Sequence, residues 1–278
     1  MSQMLYRVAK RWIAGQDADE ALQIARSLNA RGQGVMLNYL GEDILDQGVI
    51  SAHNEEYTRL QESINTMKLD ASISVKLTQL GLGLDADLAR KNLLGLAEKA
   101  SGFRQFLWVD MEGSKYTERT LELYHELLGS FRGVGVAIQA YLRRSEKDVE
   151  AILEKGGKIR LCKGAYRETP DIVYTGRPEI TQNYVTIMKR VFQSGGRVGI
   201  ATHDSYLIST AKDLAKDTKS EFEFQMLKGI RDELKDKLVS DGYRMVTYLP
   251  YGTSWYSYSK RRIMEHPSNI WLILRSLL

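Results

Sequence analysis

Eight short apolar runs recur along this chain with gaps between them, and they limit the folds open to it more than any other feature. They are VMLNYLG (35–41), SISVKLTQL (72–80), FLWVDME (106–112), VGVAIQAYL (134–142), KIRLCKGAY (158–166), RVGIATHD (197–204), EFEFQML (221–227) and YRMVTYLP (243–250). Each has the length and residue types of a strand, and every interval but the last is long enough for a helix to return the chain. Alternation of strand and helix argues for a parallel sheet, and eight unbroken units argue for closure into a single (β/α)8 barrel of the TIM type. Four prolines and no low-complexity run leave no linker in the 278 residues. The chain therefore reads as one domain, with a helical N-terminal segment over about 1–34, the barrel over about 35–278, and a C-terminal helix over the barrel mouth.

Helix signals fill the gaps. Ala18, Ala21, Leu22, Ala25 and Leu28 follow Asp17 at helical spacing. Asp85 is placed to cap the segment after the second run, and Thr117 to Leu128 repeats the pattern. Ser145 with Asp148 makes a weak capping box for the segment running to Leu153. Thr253 and Ser254 are candidate caps after the eighth run; Pro267 is expected to end that helix and Ser268 to cap a last one.

Composition removes several classes. No stretch approaches the roughly 20 apolar residues that span a bilayer, and the N-terminus lacks the pattern of a signal peptide. The expected location is cytoplasmic. A single cysteine, Cys162, excludes an internal disulfide and a cysteine-rich metal site, so no metal is expected. A net charge of +4 is too mild to argue for nucleic acid.

Strand parity sorts the side chains. In the second run Ile73, Val75 and Leu77 form one row, and Ser72, Ser74, Lys76 and Thr78 the other. Val136, Ile138 and Ala140 likewise oppose Gly135, Ala137, Gln139 and Tyr141; Phe222, Phe224 and Met226 oppose Glu221, Glu223, Gln225 and Leu227. The apolar rows should face the outer helices. Lys76, Gln139 and Gln225 then point inward near the carboxyl ends of their strands, and Asp110, His203 and Tyr248 can join them. Barrels of this kind place their chemistry there. Lys76 and Asp110 lie on neighbouring strands and can pair, as buried charges must; the blander reading is an ion pair that only closes the barrel top. In the fifth run Arg160 and Cys162 share one parity and Lys163 has the other. Both cations can serve one ligand if Lys163 lies past the strand end, which Gly164 permits. Cys162 is most simply a small strand filler.

After the eighth run, SWYSYSKRRIMEHP sets Tyr258, Arg261 and Arg262 on one broad helical face. Two adjacent guanidiniums can grip a carboxylate, with Tyr258 as an apolar wall. The alternative is a basic surface patch with a local Arg261–Glu265 bridge.

Taken in order, LNYLGE, SVKLTQLG, VDMEGS, AIQAYL, IRLCKGAY, ATHD, FEFQML and YLPYG followed by YSKRRIMEHPSN resemble the successive strand-end motifs of the proline dehydrogenase family over about residues 35–278. The resemblance is to the single-function microbial form and to the matching domain of the bifunctional proline-utilisation flavoenzyme. It implies FAD as cofactor, L-proline as substrate and a quinone-type or membrane acceptor for the electrons, with peripheral membrane association left open. It implies that Arg261 and Arg262 hold the proline carboxylate with Lys76, that Asp110 orients Lys76, and that Tyr166, Leu227, Tyr248 and Tyr258 pack around the ring. Arg160 matches the arginine near flavin N5. Gln139, Lys163, Gly164, Ala165, Thr202, His203 and Gln225 fall at flavin-contacting positions. Glu42 matches an acidic gate residue that pairs with Arg261. Two positions depart from the family pattern: Asn38, where an acid is common, and Arg167, where an aromatic residue is common.

Other readings stay open at this point. GLGLDA, with Gly81, Gly83 and Ala86 followed at a distance by Asp110, has the form of a dinucleotide fingerprint and suggests an NAD-dependent Rossmann enzyme. Oxidation of 4-hydroxyproline or another cyclic imino acid is a second possibility, against which the bulk of Tyr248 argues. A barrel used only as a binding module is a third.

Overall fold

The computed structural model describes residues 2–218 and 220–265, with side chains over 6–218 and 220–260. All eight runs are strands: β1 (Gly34–Tyr39), β2 (Ala71–Lys76), β3 (Leu107–Asp110), β4 (Val134–Gln139), β5 (Ile159–Cys162), β6 (Val198–Ala201), β7 (Phe222–Leu227) and β8 (Met245–Tyr251). They pair in chain order around one closed parallel barrel. β8 closes on β1 with Gly34 beside Val246 and Tyr39 beside Tyr251.

Helices α1 (Ser2–Ala9) and α2 (Ala18–Ala30) precede the barrel. α3 (Gln47–Thr66), α4 (Ala86–Gly102), α5 (Ser114–Ser130), α6 (Ser145–Glu154), α7 (Arg177–Gln193), α8 (Ser205–Lys216) and α9 (Asp232–Ser240) return the chain between strands, and α10 (Trp255–Glu265) follows β8. Asp17 and Asp85 cap α2 and α4 as the sequence suggests, the latter accepting from the amides of Asp87 and Leu88. Two expectations need correction. The last interval does hold a helix: α9 is short and polar, so it carries little apolar periodicity. Ser145 does not cap α6. Arg144 holds the cap position without a side-chain bond, and the Ser145 hydroxyl turns back to donate to the Gln139 carbonyl at 2.6 Å. Pro267 and Ser268 lie outside the described residues.

Parity places the two cores. Val35, Leu37, Ile73, Val75, Val109, Val136 and Ile138 face outward into one buried cluster with helix side chains such as Leu60, Leu93 and Leu127. Inside, Met36, Trp108, Leu227, Val246 and Tyr248 form a second cluster that also takes in Ala9, Trp12, Ile13 and Tyr258. The N-terminal segment thus packs beside α10: Trp12 Nε1 donates to Ser259 Oγ at 3.0 Å, and the Tyr6 and Trp255 rings lie 5.2 Å apart.

Candidate active site

Side chains from β2, β5 and β8 meet on one carboxylate of β3, and β7 joins them through Arg160. Strand register sets Lys76 beside Asp110. Lys76 Nζ lies 3.0 Å from Asp110 Oδ2, and Arg160 Nη1 lies 2.6 Å from Oδ1. Ser74 Oγ donates to Oδ1 at 2.6 Å, and the Tyr248 hydroxyl to Oδ2 at 3.3 Å. The Arg160 guanidinium lies over the Tyr248 ring at 4.7 Å, and its Nε donates to Gln225 Oε1 at 2.8 Å. Gln225 donates in turn to Glu223 at 2.7 Å. Gly199 on β6 makes this possible, since a Cβ there would stand 2.4 Å from the Gln225 amide nitrogen.

The charges follow from these contacts. Burial pushes Asp110 upward, but the Lys76 and Arg160 cations and the Ser74 bond hold it well below the usual carboxylate range. Burial pulls Lys76 down, but Asp110 together with Tyr166, Tyr248 and Glu112 outweighs it, so the ammonium stays charged. Burial and then Asp110 push the Tyr248 hydroxyl far up, leaving it a neutral donor. Lys76 and Arg160 share Asp110, so each cation keeps hydrogen-bonding capacity for an anionic ligand.

The remaining expected residues divide. Leu227, Tyr248 and Tyr258 are buried together beside this floor. The Tyr166 hydroxyl lies 3.4 Å from Glu42 Oε2. Lys163 points away from Asp110 to Asp204, at 2.7 Å. His203 Nε2 accepts from the Leu227 amide at 2.9 Å, which places its ring proton on Nδ1. Thr202 is buried and its hydroxyl oxygen accepts from the Asp204 amide at 3.1 Å; Ala165 is exposed. Gly164 has φ +111°, and a Cβ there would meet the Tyr141 ring at 2.2 Å, so only glycine fits the turn after β5. Cys162 lies 3.4 Å from the Ile138 carbonyl, within the barrel wall. Arg261 and Arg262 sit on α10, but their side chains, and with them the Arg261–Glu42 gate and the Arg261–Glu265 bridge, lie outside the described residues.

One participant, Glu112, is not singled out in the sequence, and Asn38, read there only as a departure from the family pattern, has a structural role. Glu112 is buried and accepts from the Thr78 amide at 3.0 Å and its hydroxyl at 2.5 Å. Burial raises its carboxyl against the pull of Lys76 and Thr78, and its carbonyl accepts from Gln139 Nε2 at 3.0 Å. Its inward parity, two residues past Asp110, is the signal that could have found it. Asn38 donates to the Ser74 carbonyl at 2.8 Å. That bond ties β1 to β2 and needs an amide; an ionised acid could not make it.

The family model of proline dehydrogenase matches residues 21–269. The chain belongs to the proline dehydrogenase family. It is 34% identical to proline dehydrogenase 2 of Bacillus subtilis (strain 168), over 97% of this chain and 93% of that one. It is 34% identical to the proline dehydrogenase of Deinococcus radiodurans, over 99% and 92%. Among solved structures it is similar to proline utilization A from Bdellovibrio bacteriovorus inactivated by N-propargylglycine, with a TM-score of 0.87 and 25% identity over 94% of this chain; it spans 33% of that longer protein. The enzyme class is that of the proline dehydrogenases. The Rossmann reading falls with the closed barrel: GLGLDA is the loop from β2 to α4, and Asp85 within it is a helix cap. Among the described residues no three His, Cys, Asp or Glu gather as a metal set, and no helix is long and apolar enough to cross a membrane.

Proposed function

We propose that this enzyme oxidises L-proline to Δ1-pyrroline-5-carboxylate with FAD, and that a quinone-type acceptor takes the electrons. The observation that carries the site is the cluster of Lys76, Arg160, Gln225 and Tyr248 around Asp110 at the carboxyl mouth. The donor set fits a flavin dinucleotide by its chemistry. Arg160 and Gln225 offer a cation and an amide to a polar ring edge. Lys163, the backbone at Gly164 and Ala165, and Thr202, His203 and Gln139 sit at adjoining strand ends, where phosphates and the rest of the ring would be held. FAD, when bound, supplies the acceptor for the hydride that leaves the proline carbon next to nitrogen.

The chain's own residues bind and orient. Lys76, held by Asp110, joins Arg261 and Arg262 in gripping the substrate carboxylate. Tyr166, Leu227, Tyr248 and Tyr258 wall the ring, and the bulk of Tyr248 disfavours a 4-hydroxyl substituent. Glu42 pairs with Arg261 to close the mouth over the substrate. The test is a proline-dependent dye-reduction assay on Arg262→Met. Proline affinity should fall by about one to two orders of magnitude while FAD stays bound. An unchanged Michaelis constant would remove Arg262 from the site.

A further inference from the structure

The amino-terminal end of the barrel holds a cavity of about 760 Å³, on the face opposite the Asp110 cluster. Trp108 and Val246 line it, and both belong to the buried cluster beneath Tyr248. Asp110 and Tyr248 lie two residues further along the same strands, about 7 Å deeper toward the other mouth. The cavity is therefore separate from the candidate active site. Six cations line it, Lys68, Arg104, Arg132, Lys158, Arg197 and Arg244, against two carboxylates, Asp70 and Glu223. Arg244 uses both carboxylates, pairing bidentately with Asp70 at 2.8 and 2.9 Å and reaching Glu223 at 3.3 Å. Arg197 also reaches Glu223, at 3.6 Å. Lys68, Arg104, Arg132 and Lys158 have no ion-pair partner among the described residues. The Phe106 ring carries Lys158 Nζ at 5.1 Å and the Arg197 guanidinium at 5.3 Å. Burial and then the Arg197 charge pull the Lys158 ammonium down, Glu221 opposes them, and Arg132 adds a smaller downward push; the ammonium itself donates to the Arg132 carbonyl.

The backbone adds an independent sign. α2, α3, α4, α6, α7 and α9 end alike, with an amide bonded back five residues, for example Leu69 N to Ile64 O at 3.1 Å and Gln105 N to Ala100 O at 2.8 Å. The motif needs a residue at positive φ. Four of the helices use Gly32, Gly156, Gly195 and Gly242 there; α3 and α4 use Lys68 at φ +53° and Arg104 at φ +56°. Both strained cations line the cavity. Strain of this kind is concentrated at ligand sites and active sites.

We propose that this amino-terminal cavity is a second binding site, for a small soluble anion bearing two or more phosphate groups. Guanidiniums match phosphate oxygens bidentately, ammoniums add point charges, and the volume suits a small molecule. The test is calorimetric titration of the FAD-loaded enzyme with inorganic pyrophosphate at low salt, compared with a Lys68→Gly/Arg104→Gly variant. The parent should bind one equivalent, and the variant about tenfold or more weakly. Because glycine relieves the strain at both positions, the variant should melt no lower than the parent and oxidise proline as before. Absence of saturable pyrophosphate binding, or equal affinity in both proteins, would overturn the proposal. So would co-sedimentation with phosphatidylglycerol vesicles in place of pyrophosphate binding, which would assign the cations to a lipid surface.

Discussion

At the carboxyl mouth Lys76 and Arg160 share one buried carboxylate, Asp110; at the amino mouth Arg244 pairs with two acids, while Lys68, Arg104, Arg132 and Lys158 form no ion pair among the described residues. The difference is one of solvent. Side chains inside the barrel lose water, so each charge there needs a fixed partner and the network becomes rigid. At the amino mouth, Arg244 and Asp70 keep about half of their side-chain surface exposed, at 47% and 53%, and water tolerates an excess of one sign. One column of bonds joins the two ends: Arg244 to Glu223, Glu223 to Gln225, Gln225 to Arg160, and Arg160 to Asp110.

The largest effect that could break this comparison is on stability. Asp110→Asn removes the carboxylate that both buried cations pair with and should cost roughly 3–5 kcal/mol in urea unfolding. Asp70→Asn at the amino mouth removes a half-exposed pair and should cost about 1 kcal/mol or less. Equal losses would mean that the two networks are alike.

Acid should sharpen the contrast. His53 on α3 is buried at the carboxyl end, where its Nδ1 lies 3.2 Å from Gln79 Nε2 and its ring 4.6 Å from that of Tyr39. Burial lowers it from 6.5 to about 4. As pH falls below 6.5 the unfolded chain takes up the proton and the folded chain does not, so stability is lost down to about pH 4, by up to roughly 3 kcal/mol. Asp110, held far lower in the folded chain, adds to the loss only below about pH 5, where the unfolded carboxylate begins to take up its proton. His53→Gln should flatten the profile measured by urea unfolding between pH 7 and pH 4.5. An unchanged slope would place the acid-sensitive group elsewhere. The smallest effect is at the amino mouth, where Lys68→Gly/Arg104→Gly should gain about 1 kcal/mol from relieved strain, less what glycine adds to the unfolded chain. A clear loss of stability would show that the two side chains pack rather than wait for a ligand.

Much of the carboxyl mouth is legible in the sequence because strand parity is strict. Lys76, Asp110, Gln139, Gln225 and Tyr248 all fall on the inward row, and β8 closing on β1 follows from eight alternating units. Parity stops at the strand ends. Lys163, one residue past β5, turns to Asp204, and Glu112 finds Thr78 only through the path of a loop after β2. α9 escapes notice because its few residues are mostly polar and even its buried face includes Lys235. The amino mouth is invisible for a different reason. Its cations come from two helix ends, a loop before β4 and the starts of three strands, so no spacing unites them before the barrel closes.

The reading of the carboxyl mouth as a proline-oxidising flavin site is tested most directly by anaerobic titration of the purified protein with L-proline while its visible spectrum is followed. The expected result is a flavin band that bleaches on proline addition, with 4-hydroxyproline much slower. A protein without a flavin band, or one bleached faster by hydroxyproline or an acyclic amino acid, would contradict it.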